Sequence, residues 1–450
     1  MKVKVRIAPS PTGFLHVGTS QSALYNWLFA QKNGGDFYLR IEDTDRERST
    51  KEYEQSILDS LEWLGLKWDG DVAHQSERTK NYRKALEKLL SERKAFYCHH
   101  TKEELEVERK EQEEKKKAPI HTCSHKNEAK GNQQGGIIRL RNDSLNNKTG
   151  MISFDDMIRG RILIMNLLLG DFSIAKSLDE PLYNFAVVVD DADMGISHVI
   201  RGEDHISNTP KQILIYEALG KTPPQFAHLP LILAPDRSKL SKRHGATAVG
   251  DYKKEYLPEA LINFLGTLSY TFSKEILTKE EMVEEFELSK VHKSGAIFDI
   301  KKLNWLNSQY IKKLSPTEFK KITGLDIPDS AIPLITERLE KLSDVQNFEY
   351  FWKEPEYDEE LLRWKNTESH LTRNALESVK GIVENWDFKD KEVLKVRLDQ
   401  TAGKDRGLVY WPLRVALSGK EKSPDPVELL FVLGKEESLK RINKAKSKLK

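Results

Sequence analysis

A chain of 450 residues with 38% hydrophobic side chains can supply about three domains of ~150 residues, each with an ordinary core. Lys and Arg exceed Asp and Glu by only 72 against 70, so the total charge announces no nucleic-acid partner and any RNA surface must be local. The first ten residues are charged and no run of about 18 apolar residues occurs, so we expect no signal peptide and no membrane-spanning helix, and a cytoplasmic protein with no membrane partner.

From Val3 to about Leu90 the pattern reads strand, helix, strand, helix: VKVRIA, SALYNWLFAQ, DFYLRIED, YEQSILDSLEWLGL. Such alternation predicts a parallel sheet covered by helices. In the first strand Val3, Val5 and Ile7 alternate with Lys4 and Arg6, and Pro9, Pro11 and Gly13 then break the pattern. An amphipathic helix is expected over about Thr19 to Gln31, with Leu24, Trp27 and Leu28 inward and Gly34 and Gly35 as its stop. His16 and Gly18 fall just before its N-terminus, where free N–H groups and the helix dipole attract phosphate. In GDFYLRIEDTD the residues Tyr38, Arg40 and Glu42 share a face, and in GISHVIRGEDH so do Ser197, Val199 and Arg201. Ligands of open parallel sheets bind beyond the carboxyl ends of the strands. Arg6, Glu42 and Arg201 are therefore expected in one crevice, two cations and one anion, a set suited to an α-amino dicarboxylate.

Residues 91–180 break the βα rhythm. KEELEVERKEQEEKKK reads as a solvated helix laced by i to i+4 ion pairs. Beside it, FYCHHTK and IHTCSHK hold the two cysteines of the chain. Cys98 and His100 are two apart, as are Cys123 and His125, so each pair faces one way in an extended segment. Two thiolates with two imidazoles make a tetrahedral Zn²⁺ set, and His121, on the face of Cys123, is a rival donor. Further on, RSKLSKRHG at 237–245 is a polar loop with Lys239, Lys242 and Arg243 close together after the apolar HLPLIL. LPEALINFLGTLSY reads as core helix. SPTEFKK is a capping box opening a helical region, with a linker near 311–317 before it and Ile335, Leu339, Leu342, Val345 and Phe348 as one helical stripe after it. The last residues, KRINKAKSKLK, read either as a phosphate contact or as a frayed cationic terminus.

PSPTGFLHVGT and RSKLSKRHG together closely resemble the two signatures of class I aminoacyl-tRNA synthetases, HIGH and KMSKS, in the glutamyl form. The resemblance runs on through GGDFYLRIEDTDRERS, PLYNFAVVVDDADMGISHVIRGEDHISNTPKQ and LPEALINFLGTLSY, covering most of residues 1 to 310. Where the general class has a second His, this chain has Thr19, a small residue of the kind the glutamyl branch carries.

The resemblance implies an α/β fold: a Rossmann-like parallel-sheet catalytic domain with an insertion, followed by an α-helical anticodon-binding region. Residues 1–90 and 181–250 would form the two catalytic halves, 91–180 the connective insertion with the zinc site, 251–315 a stem-contact region and 316–450 the anticodon-binding domain. It implies His16, Lys239 and Lys242 as catalytic groups, and an ATP site of Pro9, His16, Gly18, Thr19, Lys239, Leu240, Ser241, Lys242 and Arg243. Glutamate would meet Arg6, Ala8, Ser10, Glu42, Tyr183 and Arg201, with Arg6 on the side-chain carboxylate and Glu42 on the α-amino group. Mg²⁺ would accompany ATP. Family zinc sites use a Cys-x-Cys and Cys-x-His arrangement, from which this chain departs at His100. The implied activity is ATP-dependent activation of glutamate and its transfer to tRNA-Glu by a monomeric enzyme, with tRNA-Gln open as a second acceptor. A glutaminyl-tRNA synthetase and a tRNA-binding paralogue without catalysis are the alternatives; both intact signatures speak against the second.

Overall fold

The computed structural model describes every residue except 1, 143–149, 242, 244, 246, 366, 388 and 450. Its contacts divide the chain into two units, Met1–Lys253 with Pro258–Leu303, and Lys254–Leu257 with Asn304–Lys450. The division falls inside the helix Ile300–Ile311, ahead of the linker expected at 311–317.

In the first unit the strands Lys4–Ile7, Asp36–Ile41 and Ala73–His74 run parallel in that order. His198–Gly202 and Gln225–Leu229 form another parallel pair. The Ser197 N–H donates to the Lys4 carbonyl at 2.9 Å and the Ser197 hydroxyl accepts from the Lys4 N–H at 2.8 Å, so this pair starts alongside the first strand. The carboxyl ends of three strands thereby share one edge. A hairpin, Met151–Asp156 with Gly160–Met165, joins Gln225–Leu229 where Asp156 pairs with Phe226.

The alternation in the first strand does not separate a core face from a wet one. Val5 and Ile7 are buried, yet so are Arg6 and, in the next strand, Arg40. Both faces of a parallel sheet are covered, so charged side chains on either face must find partners inside. The first helix, Val17–Lys32, is likewise buried nearly all round and not amphipathic as expected. Its outer side is covered by the helix Pro258–Leu268, to which Tyr25 donates through its hydroxyl at the Gly266 carbonyl, 2.9 Å away.

The insertion is built on an antiparallel sheet in the order Ala95–Cys98, Ile137–Leu140, Ser173–Ser177, Glu180–Pro181. The charged helix Lys102–Glu114 has no buried residue and is held by a Thr101/Glu104 capping box and by pairs such as Arg109–Glu113 at 2.9 Å, as its sequence predicts.

In the second unit, Ser315 and Glu318 cap Pro316–Thr323 reciprocally. The expected stripe is not one helix. Ile335 lies in the short helix Ile332–Thr336, and a separate 3-10 stretch, Leu342–Phe351, starts where Asp344 caps the Lys341 N–H at 2.9 Å. Ile335, Leu339, Leu342 and Val345 are all buried, because two short turns can present the same spacing as one helix. The helices Ser369–Glu384, Lys391–Ala402, Gly407–Ser418 and Pro426–Lys448 complete the unit. The basic carboxyl segment is not frayed: Ile442, Ala445 and Leu449 are buried, and the enclosed Arg441 donates to the carbonyls of Tyr350 and Leu417 at 2.7 and 2.6 Å. No helix of the described residues is long and apolar enough to cross a membrane.

Candidate active site and metal centre

At the shared carboxyl edge of the first unit lies a cavity of about 510 Å³. Arg6, Ala8, Pro9, Ser10, His16, Gly18, Thr19, Glu42, Tyr183, Arg201, Lys239 and Leu240 all line it. Ser241 and the exposed Arg243 are not among its lining residues, and Lys242 lies outside the described residues.

The three strand-end charges converge, but each arrives with partners. Arg6 is gripped by Asp191, Nε to Oδ1 at 3.1 Å and Nη2 to Oδ2 at 3.3 Å, which leaves Nη1 for a ligand. Fully buried Arg40 bridges the cluster, reaching Asp191 at 2.6 Å and Glu42 at 3.2 Å. Burial alone would raise the Asp191 carboxyl, yet Arg6 and Arg40 outweigh it and hold the group below its usual range. Glu42 goes the other way: burial raises it in spite of Arg40 and Arg6. A cationic ligand beside Glu42 would offset that burial.

Arg201 is fixed on two sides as well. Its Nη2 donates to Thr209 Oγ1 at 2.8 Å and its Nε to His228 Nε2 at 3.3 Å, while Nη1 is buried without a hydrogen-bond partner. Burial works against the guanidinium charge, and an incoming carboxylate would relieve both deficits. Tyr183 stands at the open side of the cavity, and its hydroxyl oxygen lies 3.1 Å from His205 Nδ1.

His16 is the N-cap of Val17–Lys32, and its Nδ1 accepts from the Gly18 N–H at 3.1 Å. Gly18 therefore sits inside the first helical turn with its N–H occupied, not before the helix with a free donor. The Val17 N–H is occupied too, by the Thr247 carbonyl at 2.9 Å. His16 pairs with Ala248, and Leu233 with Lys239, in isolated antiparallel bridges. The chain after the polar loop is thus bonded to the start of the first helix, while Lys239, within the loop, bridges to Leu233 and reaches Asp204 at 2.9 Å. The two sequence signatures meet in space.

In the insertion, donor atoms of Cys98, His100, His121 and Cys123 lie within 4.8 Å of one another. His100 Nδ1 is 3.4 Å from Cys98 Sγ and 3.6 Å from Cys123 Sγ, and His121 Nε2 is 3.7 Å from Cys98 Sγ. His125, expected as the fourth donor, is replaced in the cluster by His121. The reason is local: after Cys123 the chain turns into a 3-10 helix, so His125 is no longer two extended residues away, and its Nδ1 accepts from the His99 N–H at 3.1 Å. Glu108 meets His121 Nδ1 at 2.5 Å and orients its Nε2 toward the thiols.

Residues 2–305 match the family described as tRNA synthetases class I (E and Q), catalytic domain, and residues 275–446 match an anticodon binding domain. The chain belongs to the class I tRNA synthetases of the E and Q type. It is 40% identical over 476 residues to glutamate–tRNA ligase 2 of Thermoanaerobacter pseudethanolicus, covering 99% of this chain and 98% of that one. To the glutamate–tRNA ligase of Heliobacterium modesticaldum it is 40% identical over 98% of this chain and 96% of the other. Among solved structures, a glutamate–tRNA ligase from Elizabethkingia meningosepticum in complex with its amino acid superposes with a TM-score of 0.86 at 35% identity over the whole of both chains. The α/β catalytic body followed by a helical anticodon-binding region is the architecture of this synthetase family.

Sequence reasoning missed the residues that hold the arginines of this synthetase site. Asp190 and Asp191 sit within the apolar run FAVVVDD on the helix Tyr183–Met194, and both are buried. Two carboxylates in an apolar stretch are a legible signal, since buried charge needs a partner. His228, between apolar neighbours in the buried part of the strand Gln225–Leu229, gave the same signal.

Proposed function

We propose that this chain is a glutamate–tRNA ligase, which joins glutamate to ATP as glutamyl-adenylate and passes the acyl group to the 3′ end of tRNA-Glu. One observation carries the reading: Arg6 and Arg201, each with its Nη1 outside the hydrogen bonds that fix the guanidinium, line one cavity with Glu42, Tyr183, His16 and Lys239. Two carboxylate sites and one site for an ammonium group match glutamate in charge.

The nucleophile belongs to the substrate. The glutamate α-carboxylate attacks the α-phosphorus of ATP, pyrophosphate leaves, and the mixed anhydride transfers its acyl group to a ribose hydroxyl of the terminal adenosine. The protein aligns the reactants and stabilises charge on phosphoryl oxygens. Arg6 takes the side-chain carboxylate, Glu42 the α-amino group, and Tyr183 and Arg201 add further contacts, with Ala8 and Ser10 closing the site. His16, Lys239 and Lys242 face the phosphates, with Pro9, Gly18, Thr19, Leu240, Ser241 and Arg243 around the nucleotide. Mg²⁺ enters with ATP as part of the nucleotide substrate. Residues 91–180 serve as the connective insertion, 251–315 as the stem-contact region and 316–450 as the anticodon-binding domain of a monomeric cytoplasmic enzyme. Glutamine is rejected because its neutral amide leaves a buried guanidinium partly unpaired. Charging assays with glutamate and with glutamine on purified tRNA-Glu and tRNA-Gln test this. Glutamyl-tRNA-Glu is the expected product; glutaminyl-tRNA would overturn the amino-acid assignment, and the tRNA-Gln lanes decide whether a second acceptor is used.

The insertion binds Zn²⁺ through Cys98, His100, His121 and Cys123. Ligands ~2.0–2.3 Å from a tetrahedral zinc stand roughly 3.3–3.8 Å apart, and the three donor separations of 3.4–3.7 Å fall in that range. Four protein donors leave no open position, so the metal would tie the strand Ala95–Cys98 to the segment after the charged helix and take no part in catalysis. Purified protein should contain about one zinc per chain. Cys123→Ala and His121→Ala should release it, whereas His125→Ala should keep it. Metal analysis finding no zinc in protein prepared without chelators would reject the site.

A further inference from the structure

Arg201 is positioned by a buried chain of hydrogen bonds that starts in the insertion hairpin. Asp156 ends the strand Met151–Asp156 and is buried. One of its oxygens, Oδ1, accepts from the N–H groups of Ile158 and Arg159 at 3.0 and 2.8 Å, so it caps the hairpin turn. The other, Oδ2, is 2.6 Å from Nδ1 of His228, which is fully enclosed on Gln225–Leu229. A carboxylate at Nδ1 accepts, so Nδ1 carries the proton and Nε2 is left as an acceptor. Two donors converge on that acceptor, the Thr209 hydroxyl at 3.1 Å and Arg201 Nε at 3.3 Å. Thr209 Oγ1 in turn accepts from Arg201 Nη2 at 2.8 Å. The polarity matters most at Arg201: were the His228 proton on Nε2, Thr209 Oγ1 could accept it and turn its own hydrogen to the His205 carbonyl at 3.4 Å, but Arg201 Nε would lose its acceptor.

We infer that His228, with its tautomer set by Asp156 and relayed through Thr209, is a positioning residue that holds the Arg201 guanidinium in place at the wall of the amino-acid cavity. The inference rests on the proposed role of Arg201 in binding glutamate. Its consequence is that the insertion hairpin, which contributes no lining residue to the cavity, sets the affinity of the amino-acid site through one carboxylate.

The test uses the full-length enzyme charging tRNA-Glu, with KM for glutamate, KM for ATP and kcat read separately. His228→Asn keeps a donor near the Nδ1 position and loses the acceptor at Nε2, whereas His228→Gln keeps an acceptor near Nε2. We expect H228N to raise KM for glutamate about tenfold, equivalent to ~1.4 kcal/mol, with KM for ATP and kcat within about twofold. H228Q should recover most of the loss, to within about threefold of the parent. Asp156→Asn should resemble H228N, because an amide facing Nδ1 turns the tautomer, as the corresponding change does in a Ser-His-Asp triad. Thr209→Val, which keeps shape and loses the hydroxyl, gives a second reading where a His228 variant does not fold, and Thr209→Ser should restore it. Equal KM values for H228N and H228Q, or equal rises in both KM values, would overturn the positioning role. Arg201→Lys separates the two levels of the argument. If it leaves KM for glutamate unchanged, the site assignment fails; if it raises KM while H228N and T209V do not, only the positioning role fails.

Discussion

Asp191→Ala is expected to destabilise the catalytic unit by about 3–5 kcal/mol and to abolish measurable saturation by glutamate. Removing one member of a buried charge cluster leaves the others uncompensated, and that figure is typical of such a loss. Here the orphans are Arg6 and Arg40, both buried and both bonded to the same carboxylate. With Asp191 gone, Arg6 is free to turn onto Glu42, and the two groups assigned to the side-chain carboxylate and the ammonium group would neutralise each other. The acid dependence has a definite sign. The folded Asp191 carboxyl lies below its ordinary value, so its contribution is complete above the unfolded value near pH ~4 and is lost as pH falls through the folded one. Thermal unfolding of parent and variant should therefore differ most near neutrality and converge in acid. A variant as stable as the parent at pH 7, with glutamate KM intact, would show that Asp191 is not what holds the arginines.

Lys242→Ala should slow adenylate formation by ~10² to 10³, or roughly 3 to 4 kcal/mol, while weakening ATP binding far less. Lys242 is chosen on its place in the KLSKR signature and on the anchoring of the flanking chain, since Lys239 lines the cavity and Thr247 is bonded to the first helix. A lysine that meets the phosphates as charge develops acts on the rate. A solvated loop lysine would leave both constants within about twofold. Affinity for tRNA should hardly change, as Lys242 would be one cation among many along an extended contact. Single-turnover activation and filter-bound tRNA, measured together, distinguish these outcomes: an unchanged activation rate removes Lys242 from the site, and a tRNA defect without a chemical one favours a binding role.

Much of this protein was legible from local rules. Alternating strand and helix patterns marked the parallel sheet, turn residues placed the first loop, and the ends of three strands named Arg6, Glu42 and Arg201, all of which line one cavity. Those inferences depend on period and chain direction, which neighbouring residues determine. The capping box at Ser315 and the solvated helix Lys102–Glu114 were legible for the same reason. The tertiary structure alone decided which partners the buried charges take. Asp191 reaches Arg6 across 185 positions and Asp156 reaches His228 across 72, separations over which no periodicity carries information. The fourth cluster donor was decided in the same way: His121 and His125 are equivalent in an extended chain, and only the turn after Cys123 sends one to the thiols and the other to a backbone N–H. Composition and spacing say that a buried charge or a metal needs a partner; packing determines which residue arrives.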